Sequence, residues 1–403
     1  MTATTPTTNQ PLRIPQQAIN SLIHILEQSG FRVIGPTIDQ HAITYNDIHS
    51  LNDLPQNWTD TQAPGLYQLS ALPNSSPPKL FQYNLGPHSW KKFLFPPESD
   101  LPSLNRPQPP PEKPLAILGA RPCELAAIAI QDRVFMGEHF QDSQYALRRK
   151  DLFVIAVQCT TAAETCFCTS MNTGPQLPPA HNSAPSYSDP NSKPPTQPTS
   201  YDLAITELGD SYLLRIGSPH GQRIANQLQL AHPFEPSTPA ELEEEHRTID
   251  EVRRSIRKSL PTENLRENLL ARLQHPHWDD VAARCLSCAN CTMVCPTCFC
   301  SSVDDVHDLT DETIYRKRRW DSCFNPDFSH TSGAAVRDSI RSRYRQWLTH
   351  KLATWFDQFD TSGCVGCGRC ITWCPVGIDL TAEVAKLIES PLELSSAPVS
   401  RQA

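Results

Sequence analysis

Apolar positions along this chain switch between helical and strand periods, and the switches mark its parts. Gln17 to Leu26 has apolar residues at helical spacing and predicts a short amphipathic helix. Trp90 to Pro97, WKKFLFPP, reads as a strand entering a turn. PLAILG, starting at Pro114, is a continuous apolar run of the buried-strand type. Pro122 to Phe135 returns to helical spacing through Leu125, Ile128 and Val134. Its proline falls in the first turn, where the missing N–H costs nothing. Asp151 to Gln158 predicts a second buried strand, and Tyr201–Leu208 and Tyr212–Ile216 flank Gly209-Asp210 as a hairpin. Pro239 to Leu273, rich in Glu, Arg and Leu, predicts one or two exposed helices whose charges form a solvated face. Val336 to Phe359 also reads as helix. Between Gly174 and Ser200 lie eight prolines among Ser, Asn, Gln and Thr, the composition of a disordered insert.

These elements predict an α+β multidomain chain: a small α/β domain followed by an α-helical ferredoxin-like domain. Residues 1–110 form a proline-rich N-terminal region with no evident chemistry. Residues 111–235 form the α/β domain, interrupted by the insert at 175–200. Residues 236–277 are a charged helical connector, 278–388 the cysteine-rich ferredoxin-like domain, and 389–403 a disordered tail.

The chain has 403 residues, room for two or three cores, and its 38 prolines are about twice the usual share. A net charge of −8 disfavours a nucleic-acid binder, whose affinity rests on neutralising phosphates. The N-terminus has neither the basic start nor the apolar core of a secretory signal. The longest apolar runs, Leu125–Ile130 and Leu152–Val157, are too short to span a bilayer. The expected compartment is the cytoplasm. There thiols stay reduced, so the 15 cysteines argue for metal binding rather than a disulfide scaffold.

The cysteines fall in patterned groups. C285-L-S-C288-A-N-C291-T-M-V-C295-P and C364-V-G-C367-G-R-C370-I-T-W-C374-P are two C-x2-C-x2-C-x3-C-P runs. In two-cluster ferredoxins this run ligates [4Fe–4S] clusters, and its fourth cysteine serves the other cluster. Three thiolates two residues apart wrap one face of a cubane, and the proline frees the fourth to point elsewhere. Cys285, Cys288, Cys291 and Cys374 are then one ligand set, and Cys364, Cys367, Cys370 and Cys295 the other. Zinc prefers paired knuckles with four ligands in all, and fits two such runs badly. The long stretch between the runs is characteristic, by analogy, of the α-helical ferredoxins of multi-subunit oxidoreductases.

The tetrapeptide TCFC occurs twice. Around the first copy, Cys159 follows a predicted strand, Cys166 and Cys168 come just after, and Cys123 lies at a helix N-terminus after the neighbouring strand. Adjacent parallel strands bring their C-terminal ends together, so Cys123, Cys159, Cys166 and Cys168 could converge on a third cluster. The bland reading makes some of them buried packing thiols. Around the second copy, Cys298, Cys300 and Cys323 make three thiols. They could hold a further metal with a non-cysteine ligand, pair with the first TCFC, or pack beside the ferredoxin loops. Packing or a minor ligand role is the favoured reading.

GARPCELAAIAIQDRVF, CFCTSMNTGP, YDLAITEL, CLSCANCTMVCPTCFC, RRWDSCF, RYRQWLTHKL and GCVGCGRCITWCPVGIDLT occur in this order from about residue 85 to 385. They resemble the iron–sulfur β subunit of cytoplasmic hydrogenases and sulfhydrogenases, a family that includes the corresponding iron–sulfur chain of anaerobic sulfite reductase. The resemblance implies an electron conduit. A flavin subunit exchanges hydride with NAD(P)H, and the β-type subunit passes single electrons to a nickel–iron hydrogenase or sirohaem sulfite reductase partner. It carries the cluster-ligand role to the eight ferredoxin-motif cysteines and covers the R121-P-C123 and T165-C166-F167-C168 motifs. The proline-rich insert after Gly174 departs from the family pattern.

Nucleotide and hydrolase motifs are missing from the sequence, including G-x-G-x-x-G after a strand, a P-loop and H-E-x-x-H. The expected function is therefore outer-sphere electron transfer with no catalytic residue on this chain. The alternative is a redox enzyme acting on a sulfur compound at Cys298, Cys300 and Cys323. An iron–sulfur regulator would need a nucleic-acid surface. The basic patches Arg316–Arg319 and Arg337–Arg345 more simply dock a partner subunit. Trp320, Trp347 and Trp373 are expected to shield the clusters from water.

Overall fold

A computed structural model describes residues 10–101, 113–137, 141–179, 201–209, 211–307 and 314–389. Most of the expected insert and the tail beyond 389 lie outside these residues.

The central element is an eight-stranded sheet. In spatial order its strands are Glu235–Pro236, Leu12–Ile14, Ser211–Ile216, Leu203–Leu208, Phe153–Val157, Leu115–Ala120, Arg32–Asp39 and Ala42–Asp47. The four strands from Leu203–Leu208 to Arg32–Asp39 run parallel, and the flanking pairs are antiparallel. The strands at 115–120, 153–157 and 203–208 are buried along their whole length, as a parallel sheet covered on both faces requires. Helices Gln17–Gln28 and Pro219–Ala231 cover one face, where Ile19, Leu22, Ile224 and Leu228 are buried. Helix Pro122–Phe135 covers the other.

The sheet crosses the boundary expected near residue 110, because three of its strands come from residues 12–47. The strand expected at WKKFLFPP is instead a helical turn, Lys91–Leu94, whose Trp90, Leu94 and Phe95 pack beneath the sheet. The other expected elements form nearly where the pattern placed them. The charged connector holds helices Pro239–Ser255 and Leu265–Leu270, and Val336–Phe359 holds Ile340–Thr349, a π-helical turn His350–Thr354 and Trp355–Phe359.

The C-terminal part has its own core of Trp278, Tyr344, Leu348, Leu352, Ile371 and Val384, into which several cysteines pack. Helix Pro122–Phe135 joins the two parts. Leu125 and Ile128 face the sheet, while Ala126, Ala127 and Ile130 pack against Trp355 and Val365 of the C-terminal part. A helix with apolar residues all round is a buried helix, and this one is sandwiched. No helix among the described residues is long and apolar enough to cross a membrane.

Candidate metal centre

The two cysteine runs have the same backbone. In the first, Ser287 and Ala289 take left-handed conformations at φ 52° and 66°; in the second, Gly366 and Gly368 occupy the matching positions at 65° and 75°. Each left-handed residue turns the chain back on itself and aims an amide inward. The N–H of Ser287 points at Cys285 Sγ at 3.4 Å, and that of Gly366 at Cys364 Sγ at 3.4 Å. Ile378 N–H reaches Cys374 Sγ at 3.3 Å. A one-turn helix then carries each third cysteine, Asn290–Met293 and Arg369–Thr372.

The thiols gather as quartets. Cys285, Cys288, Cys291 and Cys374 line one cavity with Tyr344 and Trp347, and Cys370 reaches the same cavity. Cys370 also lies close to Cys364, Cys367 and Cys295; burial above all, then their charge, raises its pKa well above an ordinary thiol. Cys364 is pushed up to about 12, mainly by burial. A third cavity is lined by Cys123, Cys159, Cys166 and Cys168, at the carboxyl ends of the adjacent parallel strands Leu115–Ala120 and Phe153–Val157. Cys166 is likewise pushed up to about 12 by burial. Cys367 also lines this cavity, so the second and third quartets meet at its thiol.

The contact between those quartets is made by backbone. Phe167 N–H donates to Gly366 O at 2.9 Å, and Thr173 Oγ1 donates to Val365 O at 2.6 Å. The hydroxyls of Thr165 and Thr372 lie 2.8 Å apart. A Cβ on Gly368 would stand 2.4 Å from Thr165 O, and one on Gly366 2.6 Å from Phe167 O. The first TCFC is thus docked directly on the second cysteine run.

Residues 284–378 match the family model described as a 4Fe-4S dicluster domain. The C-terminal part is a 4Fe-4S dicluster domain. Sulfhydrogenase 2 subunit beta of Pyrococcus furiosus is 26% identical over 352 residues, which cover 86% of this chain and 90% of that protein. The resemblance to the iron–sulfur β subunits of sulfhydrogenases therefore holds over most of the chain, dicluster domain and sheet alike.

The dicluster domain's side chains suit an iron–sulfur cubane. Tyr344 Oη and Trp347 Nε1, beside the first quartet, are buried with no hydrogen-bond partner among the described atoms, and sulfur would accept from both. Burial penalises the free thiolates in each quartet, a penalty that a cationic iron core would offset. Among the described residues no three His, Cys, Asp or Glu side chains lie close enough to share one metal ion.

The second TCFC takes its partners elsewhere than the first. Cys298 shares a hydrogen bond with Cys295, and Cys300 shares one with Cys323, which lowers Cys300 to about 7. Cys166 and Cys168 have Cys159 and Cys367 as their thiol neighbours, so the expected alternative of two TCFC clasps closing on one site is not the arrangement found. Trp320 donates to Phe95 O at 3.0 Å and Trp373 stacks on Tyr67, while Trp347 lines the first quartet's cavity.

Three residues near the quartets escaped the sequence reading. Arg369, inside the second run, is 2% exposed and pairs with Glu124 at 2.8 Å; Glu124 also accepts from Tyr45 and Trp90. Lys351 and Lys91 are buried ammoniums on either side of the Cys295–Cys300 segment. In sequence a buried lysine looks like any other, and only Arg369's place between two ligand cysteines was a signal.

Proposed function

We propose that this chain is an iron–sulfur electron-transfer subunit. It relays single electrons between a flavin subunit that uses NAD(P)H and a catalytic subunit, either a nickel–iron hydrogenase or a sulfite or sulfur reductase. Cys285, Cys288, Cys291 and Cys374 would hold one [4Fe–4S] cluster, Cys295, Cys364, Cys367 and Cys370 a second, and Cys123, Cys159, Cys166 and Cys168 a third. Each cluster, when bound, exchanges one electron without bond making at substrate. No catalytic residue is assigned. The sheet and residues 278–388 act as one conduit within a cytoplasmic complex.

The observation that carries this reading is the docking of Thr165–Cys168 on Cys364–Cys370. It sets the quartet at the carboxyl ends of the parallel strands directly against the second quartet of the dicluster domain. The chain's residues supply rigid placement, exclusion of water by Trp347 and the surrounding core, and amide donors at the sulfurs. At the far end, Cys288 is exposed and Leu286 is 62% exposed, which gives the first quartet an open edge toward a partner.

Anaerobic purification of the native complex tests the reading. A flavoprotein chain and a hydrogenase or sulfite reductase chain should co-purify, and the isolated subunit should exchange electrons with one-electron dyes yet turn over neither NADPH, hydrogen nor sulfite. Rapid turnover of a sulfur compound by the isolated chain, abolished in Cys300→Ser, would instead support an enzyme site at the second TCFC.

A further inference from the structure

Lys351 is 3% exposed and sits on the π-helical turn His350–Thr354. Such turns widen a helix by one residue and recur at functional sites. Its Nζ donates to Cys295 Sγ at 3.0 Å, Thr297 Oγ1 at 3.0 Å and Gly363 O at 2.7 Å, with Cys298 Sγ at 3.9 Å. Thr297 Oγ1 donates onward to Gly363 O at 2.6 Å. The ammonium thus spans the two halves of the second quartet, Cys295 from the first run and the residue preceding Cys364. Among the described residues no carboxylate pairs with the ammonium.

Arg121 lies on the third quartet, buried and hydrogen-bonded to Cys159. The other cations near the two quartets of the dicluster domain are placed differently from Lys351. Arg369 is matched by Glu124. Lys91 Nζ spends itself on the carbonyls of Thr292, Met293 and Cys298 and on the ring of Trp320 at 3.8 Å. Arg343, near the first quartet, donates to Arg337 O, Asp338 O and Ser287 Oγ. The first quartet is offered the neutral donors Tyr344 and Trp347. A charged donor on sulfur is roughly twice as strong as a neutral one, and Coulomb attraction in a buried site is weakly screened.

We propose that Lys351 is a positioning residue for charge: a fixed buried cation that raises the reduction potential of the centre at Cys295, Cys364, Cys367 and Cys370 above that of the centre at Cys285, Cys288, Cys291 and Cys374. This rests on the cluster assignment proposed above. The step it governs balances simply: one electron leaves a neighbouring centre and arrives at this one, no bond forms or breaks, and no proton moves. Of these two centres, the one at Cys295, Cys364, Cys367 and Cys370 becomes the point where electrons collect.

The test is a redox titration of the anaerobically purified full chain, followed by electron paramagnetic resonance, with signals assigned by Cys288→Ser, which removes the first centre's. In Lys351→Met the equilibrium constant for electron exchange between second and first centres should fall about tenfold, about 59 mV for a one-electron couple. The first centre's midpoint should stay fixed, and Lys351→Arg should keep the parental gap. An unchanged gap in Lys351→Met, or a loss as large in Lys351→Arg, overturns the proposal. Should Lys351→Met not retain iron, parental protein labelled with 15N-lysine decides. Pulsed resonance should show nitrogen coupling at the reduced second centre, and its absence overturns the proposal. A parental chain without iron would defeat the cluster assignment itself, a distinguishable failure.

Discussion

The two cysteine runs share a backbone and differ in almost everything around it. At the positions following the first two cysteines, the first run has Leu286 and Ala289, the second Val365 and Gly368. Leu286 is 62% exposed and Val365 2%. Ala289 holds its left-handed conformation with a methyl group packed at the edge of the C-terminal core, whereas a Cβ at Gly368 would meet Thr165 O. Local geometry is thus set by the spacing of the cysteines, and the job of each loop by what is packed against it. The first loop is turned outward, and the second is a joint between the dicluster domain and the sheet.

The largest effect that would break this comparison is expected at the joint. Replacing Arg369 with Met leaves Glu124 buried without its cation, at a cost of about 3–5 kcal/mol. Anaerobic urea unfolding should show it, whereas removing the exposed Arg253, whose ion pair is at the surface, should cost under about 1 kcal/mol.

A sharper contrast comes from matched positions. Gly368→Ala adds left-handed strain and a backbone clash and should cost about 3 kcal/mol, with loss of iron from the joint. Ala289→Gly, its counterpart, should stabilise by about 1 kcal/mol by relieving strain. Thermal melts with iron counts compare the pair directly; equal effects at both sites would mean that the surroundings do not distinguish the loops.

The smallest stability effect is expected at the outward loop. Leu286→Ser should change stability by less than about 0.5 kcal/mol. It should nonetheless slow electron exchange with the partner subunit several-fold in stopped-flow measurements, while exchange with small dyes stays unchanged.

Much of this was legible in the chain itself. The helix at Pro122–Phe135 formed at the expected residues because proline and apolar spacing agree there. The strands Leu115–Ala120 and Phe153–Val157 were visible as apolar runs, and their adjacency was enough to anticipate that Cys123 and Cys159 would come together. WKKFLFPP misled because a short apolar run carries too few residues to separate the two periods. The N-terminal strands were hidden because one is three residues long and another contains Gly35-Pro36, a pair that usually marks a turn. Lys351, Arg369 and Glu124 were invisible as partners because their roles arise from contacts far apart in sequence.

The measurement that bears most directly on the account is iron and acid-labile sulfide per chain in anaerobically purified protein, repeated in Cys159→Ser. Three cubanes predict about twelve of each, falling to about eight in the variant. Parental protein with eight or fewer, or with a count unmoved by Cys159→Ser, would contradict a third centre at the carboxyl ends of the parallel strands. Zinc in place of iron would contradict the relay altogether.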